Sequence, residues 1–595
     1  MPIRFISMAV VMVLFASVAG ADPSDDAEKA ILDLHDSGKL FKRAEYKTVR
    51  AAFAESFEAR HEGSIRKAYG DDFDALTGWL KTRPELKHTF YTAIDEQHDD
   101  VPLALALFKD VWKEHPVAIE KWGNLAIAVA VVWDKPQQGV YDYVNHQVRT
   151  KSKLPGGRLD ALENFKYLVD SEKKLAHPAH LYPWEFLTFV VDHRTPIKER
   201  DWAFGYYQQS KGKARWHQDV PYDHDMLKGE QTRDSNLNPK LAGKDYTLAN
   251  IREFGGVCAQ QADFAARTAK SLGVPAVYCT GKSAYRGLHA WWMHVHVATA
   301  TKDEIKFSLV SDGRVEGFAR DQFYTGNVVD PQTGLKILDR DLERRLSIVG
   351  SDRVGKRMTS LLARAYPMIV DKRSLDLNGK VAYLDKMLKI NKHDEFAWLT
   401  LADMVDQGEL SADQKKLTLS YLQSMSATFA NYPDFIDRVL PKMLGVVPAN
   451  AEKLKLWEQT AALYERAKRP DLACEARLRM SELLVADKKF ETAGAGLVAA
   501  VRKFPTEGRY VPKLTAKLEE LAPKYKAGVQ QTSLLYLELL PAMILHYRNA
   551  NDEYYKGLEK QGKAFLNDNM QTQSLGQLEV RIAAAAAKVG AKRAP

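Results

Sequence analysis

From about Asp22 to Lys198 the apolar residues recur three and four positions apart, as in VPLALALFKDVWKEHPVAIEKWGNLAIAVAVVW. That spacing lays one apolar stripe along a helix. The run NLAIAVAVVW (Asn124 to Trp133) has almost no polar face and is too short to span a bilayer, so it predicts a helix buried on all sides. The period breaks at the Thr-Pro pair in RTPIKERDW. Up to about residue 350 the chain then shows turn clusters such as RDSNLNPKLAGKD, one clear helix after Cys258, and β-like stretches. AVYC, HAWWMHVHVATA and EIKFSLVS are rich in Val, Trp, Tyr, Phe and Thr, and the last two flank a Thr-Lys-Asp-Glu turn, which predicts a hairpin. Helical periodicity resumes beyond and continues to the end. Helices followed by a hairpin-rich sheet make an α+β domain.

The chain therefore divides into residues 1–21, a helical region 22–198, an α+β core 199–350 and a helical region 351–595. In the last, SELLVADKKFETAGAGLVAAVRKFP places Phe490, Ala493, Leu497, Ala500 and Pro505 at the large–small–large spacing of a tetratricopeptide-like repeat. LKINKHDEFAWLTLADMV places Trp398, Leu401 and Ala402 where another such unit would start. Only two units are readable, and an irregular helical bundle is the competing description. On this pattern the segment after residue 350 is expected to fold without the core.

Residues 1–21 change the compartment. MPIRFISMAVVMVLFASVAGADPSDD carries Arg4, a short apolar run and Ala19-Gly20-Ala21. This is the order of a signal peptide cleaved after Ala21, giving a periplasmic or secreted chain beginning at Asp22; a retained membrane anchor is the alternative. At 595 residues the chain is too long for one core. The 85 Lys and Arg are interspersed with 77 Asp and Glu, a net charge of +8. Mixed charge of this kind does not form the basic stripe that tracks phosphates, so nucleic acid is not an expected partner. Three cysteines, Cys258, Cys279 and Cys474, make neither a disulfide scaffold nor a cysteine-based metal cluster, and the odd count leaves at least one thiol free.

One of those thiols has a distinctive setting. In GGVCAQQADFAARTAKSLGVPA, Ala259, Ala262, Ala265, Ala266, Ala269 and Leu272 recur at helical spacing, and Gly273 with Pro275 ends the helix. Cys258 thus stands at a helix N-terminus, where unpaired N–H groups and the helix dipole favour a thiolate and can cradle an oxyanion. Gly255 and Gly256 leave room for a substrate backbone. A small buried hydrophobe is the bland alternative. In the strand HAWWMHVHV, His289 shares a face with Trp291, Met293, Val295 and Val297, at the head of the inward face. His294 and His296 take the other face, as structural or solvated histidines rather than a metal pair. The partner strand ends in Asp312, which folds back towards His289 as an orienting acid or serves as a turn-former before Gly313. Asp303 is too remote, and Glu316 fits only if the register slips.

The order of Cys258 at a helix start, LGVPA, Gly281, HAWW and a hairpin Asp resembles the transglutaminase-like superfamily of cysteine enzymes, over roughly residues 240 to 315. The resemblance implies a papain-like α+β core with a triad of Cys258, His289 and Asp312, needing no cofactor and no metal. It implies acyl transfer: the thiolate attacks a carboxamide or peptide carbonyl, His289 protonates the leaving amine, and the thioester passes to water or to an amine. Two features depart from the family pattern. The His-to-Asp interval is longer than usual, and no clear side-chain oxyanion donor precedes Cys258, since Gln260 and Gln261 follow it. A protein or peptide substrate is expected, with a further protein partner on the helical repeats. The rival expectations are an inactive fold of this kind serving as a protein-binding scaffold and, among enzymes, an ordinary cysteine peptidase or amidase of the exterior compartment.

Overall fold

The structure is a computed structural model that describes residues 23–210, 216–234, 236–283, 287–301, 304–314, 325–408, 410–547 and 553–591. The expected signal peptide, Asp303 and Glu316 lie outside the described residues.

Its centre is an antiparallel sheet of five strands: β1 (Ala276–Ser283), β2 (Gly287–Ala300), β3 (Ile305–Asp312), β4 (Asn327–Val329) and β5 (Lys336–Leu338), in the order β3-β2-β1-β4-β5. Cys279 stands opposite Trp291, and Trp292 stands opposite Asp312. Successive side chains of a strand take opposite faces, and here both faces are covered. Trp291, Met293, Val295 and Val297 join a core built with the N-terminal helices. Ala290 and Trp292 lie beneath the helix Cys258–Ser271. The apolar run Asn124 to Trp133 lies in the helix Ala118–Trp133, whose residues Leu125 to Val131 are all fully buried.

The Cys258–Ser271 helix is itself enclosed. Its alanines pack on β2, and its polar face meets the segment after the helix Trp184–Val191. Gln260, Asp263, Arg267 and Lys270 have at most 1% of their surface exposed. Each finds a partner: Lys270 pairs with Asp192, Arg267 Nη2 donates to Glu199 Oε2 at 2.6 Å, Arg267 Nε donates to Thr195 Oγ1 at 3.0 Å, and Tyr141 donates to Asp263 at 2.8 Å. Gln260 accepts from the Val257 N–H at 3.1 Å, holding the first turn.

Two of the expected boundaries do not separate cores. Residue 198 falls inside the helix Ile197–Gln209, whose Glu199 belongs to the Arg267 network. At residue 350, Ile31, Leu32, Val49 and Ala52 from the N-terminal helices share one core with Met358, Leu361 and Leu362. Arg357 binds Glu185 through two bonds of 2.7 and 2.8 Å across the same seam. Periodicity along a helix marks an apolar stripe without saying which distant stripe will cover it. From the helix Arg353–Lys372 onward the helices pack largely neighbour on neighbour to Thr572–Ala591. Trp398, Leu401, Ala402, Ala493, Leu497 and Ala500 are all buried there.

Residues 351–595 expressed alone would therefore expose the apolar face that Ile31, Leu32 and Val49 cover. Calorimetry is expected to show a melt below that of the intact protein, accompanied by binding of an apolar dye. An unshifted, dye-free melt would show the covering helices to be dispensable.

Candidate active site

Cys258 is the first residue of its helix, and the two glycines before it are fixed by their own chain. Gly255 has φ +81°, and a Cβ there would lie 2.3 Å from the Pro221 carbonyl. A Cβ on Gly256 would lie 2.5 Å from the Gln260 side chain. The room expected for a substrate backbone is thus filled by Pro221 and Gln260. The bridge Tyr222–Gly256, with Gly256 N–H donating to Pro221 at 3.0 Å, ties residues 221–222 to the start of the helix.

Two main-chain amides, those of Ala259 and Ala290, act to lower the Cys258 thiol. The second is available because β3 stops short. β3 ends at Asp312 opposite Trp292, and the next hydrogen-bonding position of β2 along that edge is Ala290, two residues on. Among the described residues no strand continues β3 past this point, and the Ala290 amide is one of the groups that lower the thiol. Burial pushes the Cys258 thiol up, while the Ala290 amide, the Arg149 charge and the Ala259 amide pull it down. Cys258 is half-buried, and burial is the largest influence on its thiol, ahead of the helix position that the sequence emphasises. The other two thiols are free and fully buried, Cys279 in β1 and Cys474 in the helix Pro470–Ala486.

The histidine and the acid stand at the same end of the sheet but not as expected. His289 lies on the face of Trp291, its ring 5.8 Å from that indole, whereas the cysteine helix covers the opposite face. Its Nε2 makes a 2.8 Å bond to the Gly313 carbonyl. A carbonyl only accepts, so His289 donates from Nε2 and its basic nitrogen is Nδ1. Among the described residues no hydrogen bond joins His289 to Cys258. Asp312, paired opposite Trp292, takes the cysteine face and not that of His289, because side chains alternate and 312 registers with 292.

A residue the sequence reading missed occupies the space between. His217, in the turn Trp216–Asp219 that packs on the Cys258 helix, accepts from Trp292 Nε1 at 3.3 Å. A Cβ placed on Gly313 would lie 3.7 Å from His217 Nε2. Burial lowers the His217 pKa, Asp312 raises it and His289 lowers it further, so two imidazoles and a carboxylate surround Gly313. Burial also lowers His289, against the Gly313 carbonyl. Both imidazoles are neutral near pH 7. No motif announces His217, which stands far upstream in a short turn. His294 stacks on Trp292 with centroids 4.1 Å apart, and burial with the neighbouring His296 holds it down at about 4. His296 is exposed.

No family profile, no characterised protein and no solved structure matches this chain. Among the described residues, no helix is long and apolar enough to cross a membrane.

In the native protein, alkylation of Cys258 by iodoacetamide is expected to keep rising with pH beyond the point at which an ordinary thiol levels off, since only the thiolate reacts and its pKa is raised. Cys279 and Cys474 should stay unlabelled until the protein unfolds. Peptide mapping after labelling at a series of pH values checks both; a plateau below pH 8 at Cys258 would contradict the dominance of burial.

Proposed function

We propose that the chain is a transglutaminase-like cysteine enzyme, exported to the periplasm or beyond, that acts on amides of proteins or peptides. The observation that carries this reading is a helix-terminal cysteine whose thiol the Ala259 and Ala290 amides lower, at the same end of the sheet as a neutral imidazole. Because His289 starts on the face away from the cysteine helix and bonded to Gly313, its ring has to leave Gly313 before Nδ1 takes the Cys258 proton. The sulfur forms a bond to the amide carbon, and the two main-chain N–H groups face the charge that develops on the carbonyl oxygen. His289 returns the proton to the departing nitrogen, which leaves as ammonia or an amine. The thioester is then taken by water or by a second amine, with His289 again as base.

His289 is proposed as the base. His217 already uses its acceptor nitrogen on Trp292 and would surrender that bond on taking a proton. Asp312 supports His217, which in turn steadies the Gly313 end of the site. The papain-like core and tetratricopeptide-like repeats belong to the same proposal, the repeats offering a surface for a protein partner. The raised thiol and the absence of a Cys258–His289 hydrogen bond favour a second reading, an inactive scaffold with the same core.

Release of ammonia and incorporation of a fluorescent amine, measured on a glutamine-bearing peptide, separate the two. Cys258→Ala is expected to abolish both activities, and His289→Ala to lower them by about 10² to 10⁴, the range for a direct proton-transfer group. Asp312→Asn and His217→Ala should lose on the order of tenfold, below that range, while His294→Ala and His296→Ala keep full activity. Wild-type rates in Cys258→Ala would eliminate the proposal, and an inert wild type would favour the scaffold. A dead His217→Ala beside an active His289→Ala would move the base to His217.

A further inference from the structure

A slot opens where β4 leaves β1. The two strands pair only at Thr280, opposite Asn327, after which β4 runs with β5. The resulting cavity of about 310 Å³ is lined by β1, by β4 with Lys336, by residues 137–142 and by the Asp192–Lys270 pair.

The ladder fixes which main-chain groups face this space. Val295 N–H donates to the Pro275 carbonyl at 2.9 Å, and Ala276 stands opposite His294. Hydrogen-bonded positions alternate along an antiparallel pair. Positions 275, 277 and 279 therefore bond to β2, while Tyr278 turns its N–H and C=O towards the slot. Among the described residues no hydrogen bond reaches either group, nor the N–H or C=O of Val140 on the facing wall. Tyr278 is half-buried, and its edge presents hydrogen-bonding groups to whatever fills the gap.

The dimensions and the polar end define the occupant. An extended residue takes about 3.3 Å along a strand, 4.8 Å across the sheet and 10 Å through it, on the order of 160 Å³. The slot therefore has room for about two residues. Lys270 donates to Asp192 and has two further N–H groups, while Asp192 has further lone pairs. A donor beside an acceptor, neutral as a pair, complements a carboxamide: its oxygen meets Lys270 and its NH2 meets Asp192. Asp142 and Lys336 also line the slot, so its two acids and two ammonium groups balance and favour neither a carboxylate nor an ammonium over a neutral carboxamide.

We propose that this slot binds an extended peptide as an added strand against Tyr278, with an asparagine or glutamine side chain seated on Asp192 and Lys270. The inference stands on the sheet edge and does not rest on the acyl-transfer reading.

The test is amide hydrogen exchange at single-residue resolution on the full chain, with the tripeptide acetyl-Val-Gln-Val-amide as probe. In the free protein the Tyr278 amide is expected to exchange at least tenfold faster than those of Val277 and Cys279. Saturating tripeptide should slow it at least tenfold, in wild type and in Cys258→Ala alike, and acetyl-Val-Met-Val-amide should bind about tenfold more weakly. A Tyr278 amide as protected as its neighbours in the free protein would overturn the proposal. So would one that the glutamine peptide leaves unchanged, meaning the slot holds only water, or equal affinity for the methionine analogue, meaning the Asp192–Lys270 pair selects nothing.

Discussion

The middle of this protein depends on charges kept paired inside a buried helix. Asp263, Arg267 and Lys270 are spaced to fall on one face of the Cys258 helix, and all three are closed off from solvent. Burying an ion costs several kcal/mol unless its partner is in place, and removing one partner of such a pair costs about 3–5 kcal/mol. The helix is therefore tolerated only where Asp192, Thr195, Glu199 and Tyr141 wait for it. Burial raises Asp192 and lowers Lys270, each opposed by its partner, and it raises Glu199 against the Arg267 charge. The Arg267 guanidinium, 3.8 Å from the Tyr143 ring centre, adds a cation–π contact to the same lock.

That lock sets the chemistry at the helix's other end. With its polar face held, the alanine face lies flat on β2, and the first residue arrives beside Ala290, where β3 has just ended. The influence of the Ala290 amide on the thiol follows from helix placement and strand length together. The same enclosure raises the thiol, so the proposed chemistry needs an imidazole to take a proton that the helix terminus alone does not release. His217, Asp312 and His289 meet around Gly313, whose φ of +85° ends the strand sharply enough to bring its carbonyl to His289.

Much of this was legible beforehand, for identifiable reasons. The three long strands, the cysteine helix and the buried helix through Asn124–Trp133 announce themselves by period and punctuation, with Gly273 and Pro275 marking where the helix must stop. The two-sided burial of the sheet was written in HAWWMHVHV as well. Ala290 and Trp292 make its second face partly apolar, but attention to His289 and Trp291 alone assigns the cysteine helix to the wrong side. His217 and the Ala290 amide were not legible, since neither a turn far upstream nor a strand's early end leaves a local pattern. The shared core of Leu32 with Leu361, and the place of Glu199 beside Arg267, are long-range pairings that no window of sequence contains.

Acid-quenched mixtures of the protein with a glutamine-bearing peptide, followed by intact-mass and fragment analysis, address the central claim that Cys258 forms an acyl-enzyme. The account predicts a fraction of chains heavier by the peptide less ammonia, with the added mass on Cys258 and removed by hydroxylamine. An adduct that never forms at any pH where Cys258 can be alkylated, or that maps to another residue, would contradict it.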